Sequence, residues 1–262
     1  MKVSIITSCF NRASTIRDTI ESVLSQDYAD IEYIVVDGAS TDGTLEIINE
    51  YADRINRIIS EKDNGMYDGI NKGIKAATGD IVGLLHSDDI FYATDTISRI
   101  VYEMKRTSAD YLYANGIFVL PTDLHYVVRN WKSGDYSKSK IWHGWLPLHT
   151  TVYVKKDIFE NSGYYNEQYK IAADTDWQLT CLYSQSLKVT YLDEYVIRMR
   201  MGGASTSFKM SVRKWKEDYK AYRSHKLWGI IGVSFKIMHK IPQFFGGSFE
   251  RTCKRLKLIV CF

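Results

Sequence analysis

Two adjacent carboxylates, Asp88 and Asp89, are the side chains of this sequence best suited to chemistry. They follow the short apolar run from Ile81 to Leu85, which is typical of a buried strand. Like charges this close resist burial unless a cation is held beside them. Carboxylates with few other protein ligands suit Mg²⁺ or Mn²⁺, which complete their shells with water and phosphate oxygens. A second interpretation stays open, in which Asp89 caps a helix that begins near Phe91.

The first half of the sequence alternates between strand and helix patterns. Short apolar runs predict strands at 3–6, 34–36, 58–59 and 81–85. Apolar residues at helical spacing predict helices over 16–24, 45–52 and 66–77. Alternation of this kind predicts an α/β fold with a mixed, mainly parallel central sheet and helices on both faces.

Polar and acidic residues follow each predicted strand. The four segments are Thr7–Arg12, Asp37–Ser40, Ser60–Gly65 and His86–Asp89. In a parallel sheet, strand carboxyl ends share one edge, where ligands bind. Any one segment could be an ordinary turn, but four at one edge indicate a site. Neither the GxGxxG fingerprint nor a Walker phosphate loop occurs in the sequence.

The second half of the chain is richer in aromatic residues and less regular. Short strands are predicted near 111–114, 117–120, 126–128 and 188–192, a helix over 174–183, and a flexible glycine loop over 200–206. Trp131, Trp142 and Trp145 could stack on sugar rings or simply pack in the fold.

Composition favours a folded cytoplasmic protein. The 262 residues are 45% hydrophobic with only three prolines, which excludes a disordered chain. The four cysteines have no zinc spacing and are expected to be reduced. We expect no signal peptide, because a strand pattern begins at Lys2, and no apolar run is long enough to span a bilayer.

Charge divides the chain unevenly and suggests a separate C-terminal extension. Residues 209–262 contain 13 Lys/Arg and 3 Asp/Glu, a charge of +10, whereas the other 208 residues contain 21 basic and 28 acidic groups, a charge of −7. We therefore predict a domain over 1–208 and a basic, amphipathic helical extension over 209–262. Aromatic residues beside lysines predict binding to an anionic membrane surface, with packing on the domain as the alternative. Nucleic acid is not an expected partner, because no binding motif accompanies the charge.

Five ordered motifs resemble family 2 glycosyltransferases, which have the Rossmann-like GT-A fold. The motifs are VSIITSCFNR at the start, VVDGASTDGT at 35–44, SEKDNGMYDGINKGIKAATGD at 60–80, the DXD-like LLHSDD at 84–89, and YKIAADTDWQL at 169–179. They cover residues 1–208 in the family's order. The block at 60–80, together with IAADTDW, resembles bacterial enzymes that build O-antigen or capsule repeat units.

The resemblance implies roles for individual residues at the donor site. Asp37 and Asp63 match acids that contact the uridine part of a nucleotide sugar, and Thr7 and Phe10 match a loop that walls the base. Arg200 or Arg198 could add charge to the diphosphate, although we expect such arginines to be solvated instead.

The metal-binding positions of the family fall on the two adjacent acids. Asp88 matches a ribose or metal contact, and Asp89 matches the acid that holds a divalent ion, Mn²⁺ or Mg²⁺, against the diphosphate. Relatives often have Asp or Asn at the position of His86, which departs from the pattern and is expected only to line the pocket.

The catalytic base of the family falls at Asp174, with Asp176 as a second candidate. Ala173 replaces the usual Glu of the motif. Asp176 could equally stabilise the start of its helix by its charge. His149 matches a His that could line the acceptor or diphosphate site, or could be structural.

As a whole, the resemblance implies an inverting, metal-dependent transfer of one sugar from a UDP-hexose or UDP-N-acetylhexosamine to a lipid-linked glycan. The enzyme would be peripheral on the inner face of a bacterial plasma membrane. Two alternatives stay open: a nucleotide-sugar binding protein without catalysis, and a sugar nucleotidyltransferase. The latter normally has a glycine-rich phosphate loop, which SCFNRAST lacks.

Overall fold

The computed structural model describes residues 1–202 and 208–238. The described strands are β1 (Val3–Cys9), β2 (Ile31–Asp37), β3 (Arg57–Ser60), β4 (Ile81–Leu84), β5 (Ile90–Phe91), β6 (Tyr111–Leu120), β7 (Asp123–Trp131), β8 (Tyr153–Lys155) and β9 (Val189–Arg200). The described helices are α1 (Ile16–Leu24), α2 (Thr44–Asn49), α3 (Met66–Ala76), α4 (Thr96–Thr107), α5 (Lys138–Trp142), α6 (Lys156–Ser162), α7 (Ala173–Leu179), α8 (Phe208–Ser224) and α9 (Gly229–Met238).

One mixed sheet contains all the described strands, in the order β3-β2-β1-β4-β8-β6-β9-β5, with β7 paired to β6. β1 runs parallel to β2 and β4, and β2 runs parallel to β3. The carboxyl ends of these four strands therefore share one edge. β8 runs antiparallel to β4 and β6, which joins the first four strands to the parallel pair β6 and β9. The predicted α/β fold, with its mixed GT-A sheet, is confirmed.

Helices cover both faces of the sheet because apolar residues of the strands alternate between two cores. Ile6 of β1 lies in one core with Ile70 of α3, and Ile5 lies in the other with Ile20 of α1 and Ile100 of α4. Fully burying a side chain of this size contributes about 1.5–3 kcal/mol relative to leaving it exposed.

The two halves of the sheet meet where Gly83 of β4 pairs with Tyr153 of β8. Tyr153 is buried, and its ring lies directly over Gly83. A Cβ atom at residue 83 would lie 2.2 Å from the Tyr153 Cε1 atom, so only a hydrogen fits there.

The strands of the second half are longer than the sequence predicts. The segments near 111–114 and 117–120 are one strand, β6, because Asn115 and Gly116 do not interrupt it. The Asn115 amide is buried and donates a hydrogen bond to Asp193 at 2.9 Å. A Cβ at Gly116 would lie 2.6 Å from Leu148, so glycine makes room for that side chain. The strand predicted near 188–192 likewise continues to Arg200.

Two predicted helices end earlier than their patterns suggest. α2 stops at Asn49, and Ala52, predicted on its inner face, is exposed. The chain turns after the helix, and Ile55 is buried in place of Ala52. The helix predicted over 174–183 is α7 only to Leu179, after which a π-helical turn spans Thr180–Ser184.

The described part of the basic extension packs on the rest of the fold. Ala221, Tyr222 and Leu227 lie in the same core as Tyr111 and Trp177. No helix within 1–202 and 208–238 is long and apolar enough to cross a membrane. Residues 203–206 of the predicted glycine loop, Ser207 and the end of the extension (239–262) lie outside the described residues.

Candidate active site

The loops that follow β1 and β2 are tied together at the carboxyl edge of the sheet. Asn11 has a left-handed backbone (φ 53°), a conformation that asparagine tolerates better than most residues. Its N–H donates to the Ser40 hydroxyl at 2.8 Å, and its side-chain carbonyl accepts from the Thr41 N–H at 2.9 Å. The two loops thus form one surface beside the exposed ring of Phe10.

Asp37 is a buried carboxylate that joins two strand ends at this edge of the sheet. It ends β2, and its carboxylate accepts hydrogen bonds from the Ser60 hydroxyl at 2.8 Å and from the Ser40 N–H at 3.2 Å. Burial raises the pKa of the neighbouring Cys9 thiol, and the Asp37 charge raises it further. Asp37 therefore holds the ends of β2 and β3 together.

Asp63 lies over a glycine of the neighbouring loop. A Cβ at Gly38 would lie 2.4 Å from one Asp63 carboxylate oxygen, and a Cβ at Gly69 would lie 3.3 Å from it. The other oxygen accepts the Gly65 N–H at 3.0 Å. The two glycines thus make room for the carboxylate, and the turn before α3 fixes its direction.

The two residues predicted to wall the base occupy different environments. The Phe10 ring is 55% exposed, immediately after β1. Thr7 is inside β1 and fully buried, with its hydroxyl accepting a hydrogen bond from Tyr33 at 3.2 Å. The structure therefore brings Phe10 to the surface of the edge and keeps Thr7 beneath it.

The Asp88–Asp89 pair sits in a tight turn after β4. Asp89 is buried, and one of its carboxylate oxygens accepts the Arg200 N–H at 3.2 Å. Burial raises the pKa of Asp89 well above its ordinary value and the Asp88 charge adds to this, while Arg200 opposes both. Asp89 does not cap a helix at Phe91, since that segment is β5 and pairs with β9.

Arg200 was expected to be solvated, but its side chain is buried instead. Its side chain is 7% exposed, and one guanidinium nitrogen donates to the Asp88 carbonyl oxygen at 2.6 Å. Another nitrogen of the same group pairs with Asp18 of α1. Arg200 therefore clamps the turn that carries the two acids.

Asp174 lies in the first turn of α7 and contacts two side chains from distant parts of the sequence. One of its oxygens is 3.3 Å from Nδ1 of His149, and the other is 3.4 Å from the Tyr67 hydroxyl. Nε2 of His149 is 2.8 Å from Nε2 of His86, two residues before Asp88. Asp174 is thus linked by two imidazoles to the turn that carries Asp88 and Asp89.

The positions of the ring hydrogens on His149 and His86 follow from the groups that accept them. The Asp174 carboxylate only accepts, so Nδ1 of His149 carries a hydrogen. In a neutral His149 ring, Nε2 then accepts from the Nε2–H of His86. Burial lowers the pKa of His86, while the charges of Asp88 and Asp174 oppose this.

Asp176, the second candidate base, contacts His225 rather than His149. Its carboxylate lies 3.2 Å from Nε2 of His225, which follows α8. The structure therefore brings Asp174, but not Asp176, to the His149–His86 pair.

The family assignment follows from a match over most of the chain. The sequence model described as Glycosyl transferase family 2 matches residues 4–161. The chain belongs to this family. The match ends before Asp174, so the segment of the candidate base lies beyond it.

Two curated relatives of this family 2 protein come from bacteria. A "PGL/p-HBAD biosynthesis glycosyltransferase" of Mycobacterium bovis is 27% identical over 208 residues, which are 78% of this chain and 79% of the relative. The "UDP-Glc:alpha-D-GlcNAc-diphosphoundecaprenol beta-1,3-glucosyltransferase WfaP" of Escherichia coli is 36% identical over 137 residues, 47% of this chain and 53% of WfaP.

Among solved structures, S. aureus TarS 1–349 in complex with UDP-GlcNAc shares the fold of this family 2 chain. The TM-score is 0.67 at 19% identity, covering 99% of this chain and 72% of that one. At this level of identity the similarity concerns the fold alone.

The acids of the family 2 site fit a hard divalent cation. The Asp88 carboxylate is half-buried and accepts no hydrogen bond from a described residue, and the neighbouring Asp89 supplies a second carboxylate. No group of three or more His, Cys, Asp or Glu that could hold a metal is found in the described part of the chain. A cation here would take its remaining ligands from water and diphosphate oxygens, as Mg²⁺ and Mn²⁺ readily do.

Several contacts of this candidate site could not be predicted from the sequence. Tyr67 belongs to a motif that the resemblance singles out, but nothing in its spacing indicates a contact with Asp174. His86 was expected only to line the pocket, and its 2.8 Å contact with His149 crosses 63 positions of the chain. A pair of imidazoles separated this far in sequence leaves no local pattern.

Proposed function

We propose that this chain transfers a single sugar from a UDP-sugar to a glycan acceptor, with inversion and with the help of Mn²⁺ or Mg²⁺. The observation that carries the proposal is the contact chain from Asp174 through His149 and His86 to the Asp88 turn. It supports the proposal because it links the residue that would be the base to the turn whose acids would hold the metal, and such a transfer requires both groups.

The donor would lie on the loops that follow β1, β2 and β3. Phe10 would stack on the base, and Asp63 would bind the uridine part. The buried Asp37 would hold the Ser40 and Ser60 segments beside Asp63 in place. Thr7 would support this surface from inside β1. UDP as the nucleotide is supported by the names of WfaP and of the TarS complex. The sugar would be a hexose or an N-acetylhexosamine.

Asp88 and Asp89 would hold the cation against the diphosphate, and Asp88 would also reach the ribose. A bound cation supplies charge stabilisation for the departing UDP. Arg200 would add to it, because its guanidinium already lies against the Asp88–Asp89 turn.

Asp174 would remove the proton of the acceptor hydroxyl as that oxygen attacks the sugar. A single displacement needs one base and no protein nucleophile, and it inverts the anomeric carbon. Asp176 is engaged with His225, which favours Asp174 for this role. His149 would line the cleft between this base and the diphosphate.

The acceptor would be a lipid-linked glycan in the synthesis of O-antigen or capsule, met at the inner face of the bacterial plasma membrane. The acceptor in the name of WfaP, a diphosphoundecaprenol-linked GlcNAc, supports this. The extension would provide membrane contact, because Trp228 is 66% and Ile230 is 73% exposed within this basic segment of the sequence. Residues 1–208 would then be the catalytic domain.

UDP release tests the reaction. Purified chain is incubated with UDP-glucose, UDP-galactose and their N-acetyl forms, with Mn²⁺ and then with EDTA. We expect one donor to release UDP, EDTA to stop the release, and Asp88→Asn to lower it at least about 100-fold. Binding of UDP-sugars without turnover would point to a binding protein, and full activity in EDTA would refute the metal site.

Vesicle flotation tests membrane contact. We expect the chain to float with vesicles of phosphatidylglycerol and not with phosphatidylcholine, and Trp228→Ala with Ile230→Ala to weaken flotation. Tyr102→Ala on α4 is the matched control, since Tyr102 is 67% exposed outside the extension. Equal flotation of all variants would contradict this role for α9.

A further inference from the structure

Glu217 of α8 is a buried carboxylate that binds the chain just before the base helix. One of its oxygens accepts the Ile171 N–H at 2.8 Å and the Ala172 N–H at 3.2 Å. Arg213 holds the other oxygen at 2.9 Å. Burial alone would raise the pKa of Glu217, but these hydrogen bonds outweigh it and the pKa lies below its ordinary value. Glu217 is therefore a charged acceptor aimed at the backbone.

The base helix has little support of its own. α7 has only seven residues, and Ala172, which precedes it, cannot cap it with a side chain. Short helices are marginal in isolation, and the N–H groups around a helix start lack partners within it. A carboxylate from α8 supplies acceptors that the local sequence does not.

Two further contacts join α7 to α8 and its end, both made by residues that directly follow Asp174 in sequence. The Thr175 hydroxyl donates to Asp218 at 2.8 Å, and Asp176 lies 3.2 Å from Nε2 of His225. Thr175 and Asp218 are both buried. Asp174 itself points away from α8, toward Tyr67 and His149.

We propose that α8 positions the general base, with Glu217 as the positioning residue that fixes the chain entering α7 and hence the direction of the Asp174 side chain. The inference rests on the proposed function, because it assumes that Asp174 is the base. It assigns the beginning of the basic extension to catalysis rather than to membrane contact alone.

The expected effect is on turnover and not on donor binding. Misplacing a reacting group by about 1 Å can lower the rate about 100-fold. The loops that carry Phe10, Asp37 and Asp63 hold one another through contacts of their own. Releasing the Glu217 contacts should therefore lower kcat and leave UDP affinity intact.

The experiment compares Glu217→Gln and Glu217→Ala in the full chain with wild type, and uses Lys220→Gln as a control, an exposed residue on the same helix. Steady-state transfer gives kcat and the donor KM. Titration calorimetry with UDP and Mn²⁺ gives the Kd, and thermal unfolding gives Tm. Gln retains one acceptor oxygen for the Ile171 N–H, so it should preserve part of the rate.

We expect Glu217→Ala to lower kcat by about 10- to 100-fold and Glu217→Gln by less, with KM and Kd near wild type and Lys220→Gln unchanged. Tm should fall by only a few degrees, because two buried N–H groups lose their acceptor. Wild-type kcat in both Glu217 variants would overturn the inference, as would parallel losses of Tm and UDP affinity, which indicate general support of the fold. If Glu217→Ala does not fold, the isosteric Glu217→Gln decides between these outcomes. An inactive wild type would instead sink the proposed function.

Discussion

The proposed donor side and the proposed base side of the site are built in different ways. On the donor side, Asp37 and Asp63 are held by residues of their own or an adjacent parallel loop, as Asp37 is by Ser40 and Ser60. On the base side, Asp174 contacts Tyr67 across 107 positions of the chain, and its helix is held by Glu217. The donor side is therefore specified by local motifs, and the base side by the packing of distant segments.

Substitution of the two acids of α7 should give the largest effect and separates their roles most clearly. Asp174→Asn should lower kcat by about 10²- to 10⁴-fold, the usual contribution of a general base. Asp176→Asn is the matched control and should change kcat only a few-fold, because Asp176 faces His225. Steady-state transfer with saturating donor measures both. The assignment is wrong if the two variants exchange these effects.

Two substitutions of His149 separate its possible roles. The amide nitrogen of Asn lies near the position of Nδ1, and that of Gln lies near Nε2. If His149 orients Asp174, His149→Gln should lower kcat by about 10- to 100-fold and His149→Asn by less. A binding contact to the diphosphate would instead raise the donor KM in both variants, with kcat nearly unchanged. The kcat and KM of the pair distinguish these outcomes.

The substitution Gly38→Ala should perturb the proposed donor side and leave the proposed base side unchanged. A Cβ at this position would displace the Asp63 carboxylate, which lies 2.4 Å away. Losing a hydrogen bond to a charged group costs about 1.5–3 kcal/mol, so Gly38→Ala should raise the donor KM about tenfold or more. Asp63→Ala should give the same rise, and kcat should stay near wild type in both. A fall in kcat without a change in KM would place Asp63 outside the donor site.

Glu32 tests the stability of the donor half without touching its cleft. Its carboxylate accepts hydrogen bonds from Ser4 at 2.5 Å, from the Thr78 N–H at 2.7 Å and from Lys2 at 2.9 Å. Burial would raise the pKa of Glu32, but these bonds outweigh it and lower the pKa to about 2. Glu32→Gln should therefore lower the free energy of unfolding by about 1–3 kcal/mol at neutral pH.

The pH dependence of that loss has a definite sign. A carboxylate with a lowered pKa stabilises the fold above its unfolded pKa, near 4.5, and the stabilisation disappears as pH falls toward 2. The difference in the free energy of unfolding between wild type and Glu32→Gln, measured by urea unfolding, should narrow steadily below pH 4.5. The kcat of the variant at pH 7 should be unchanged. A gap that is constant with pH would show that the charge of Glu32 does not matter.

The sequence predicted the first half of the fold well because its elements obey simple periodicities. β1 to β4 and α1 to α3 each contain an apolar pattern, and the parallel order of the strands places their ends together. The predictions for the second half were poorer, since Asn115 is retained inside β6 by a partner 78 positions away. Arg200 was misjudged for the same reason, because its partners, Asp18 and Asp88, are distant in sequence.

Gly83 fixes the distance between two segments of the candidate site. It lies in β4, which leads to Asp88, while Tyr153 lies in β8, which follows the segment of His149. Any larger residue at position 83 would push the Tyr153 ring outward and move these two segments apart. The spacing between the proposed metal ligands and the proposed base thus depends on the absence of a single methyl group.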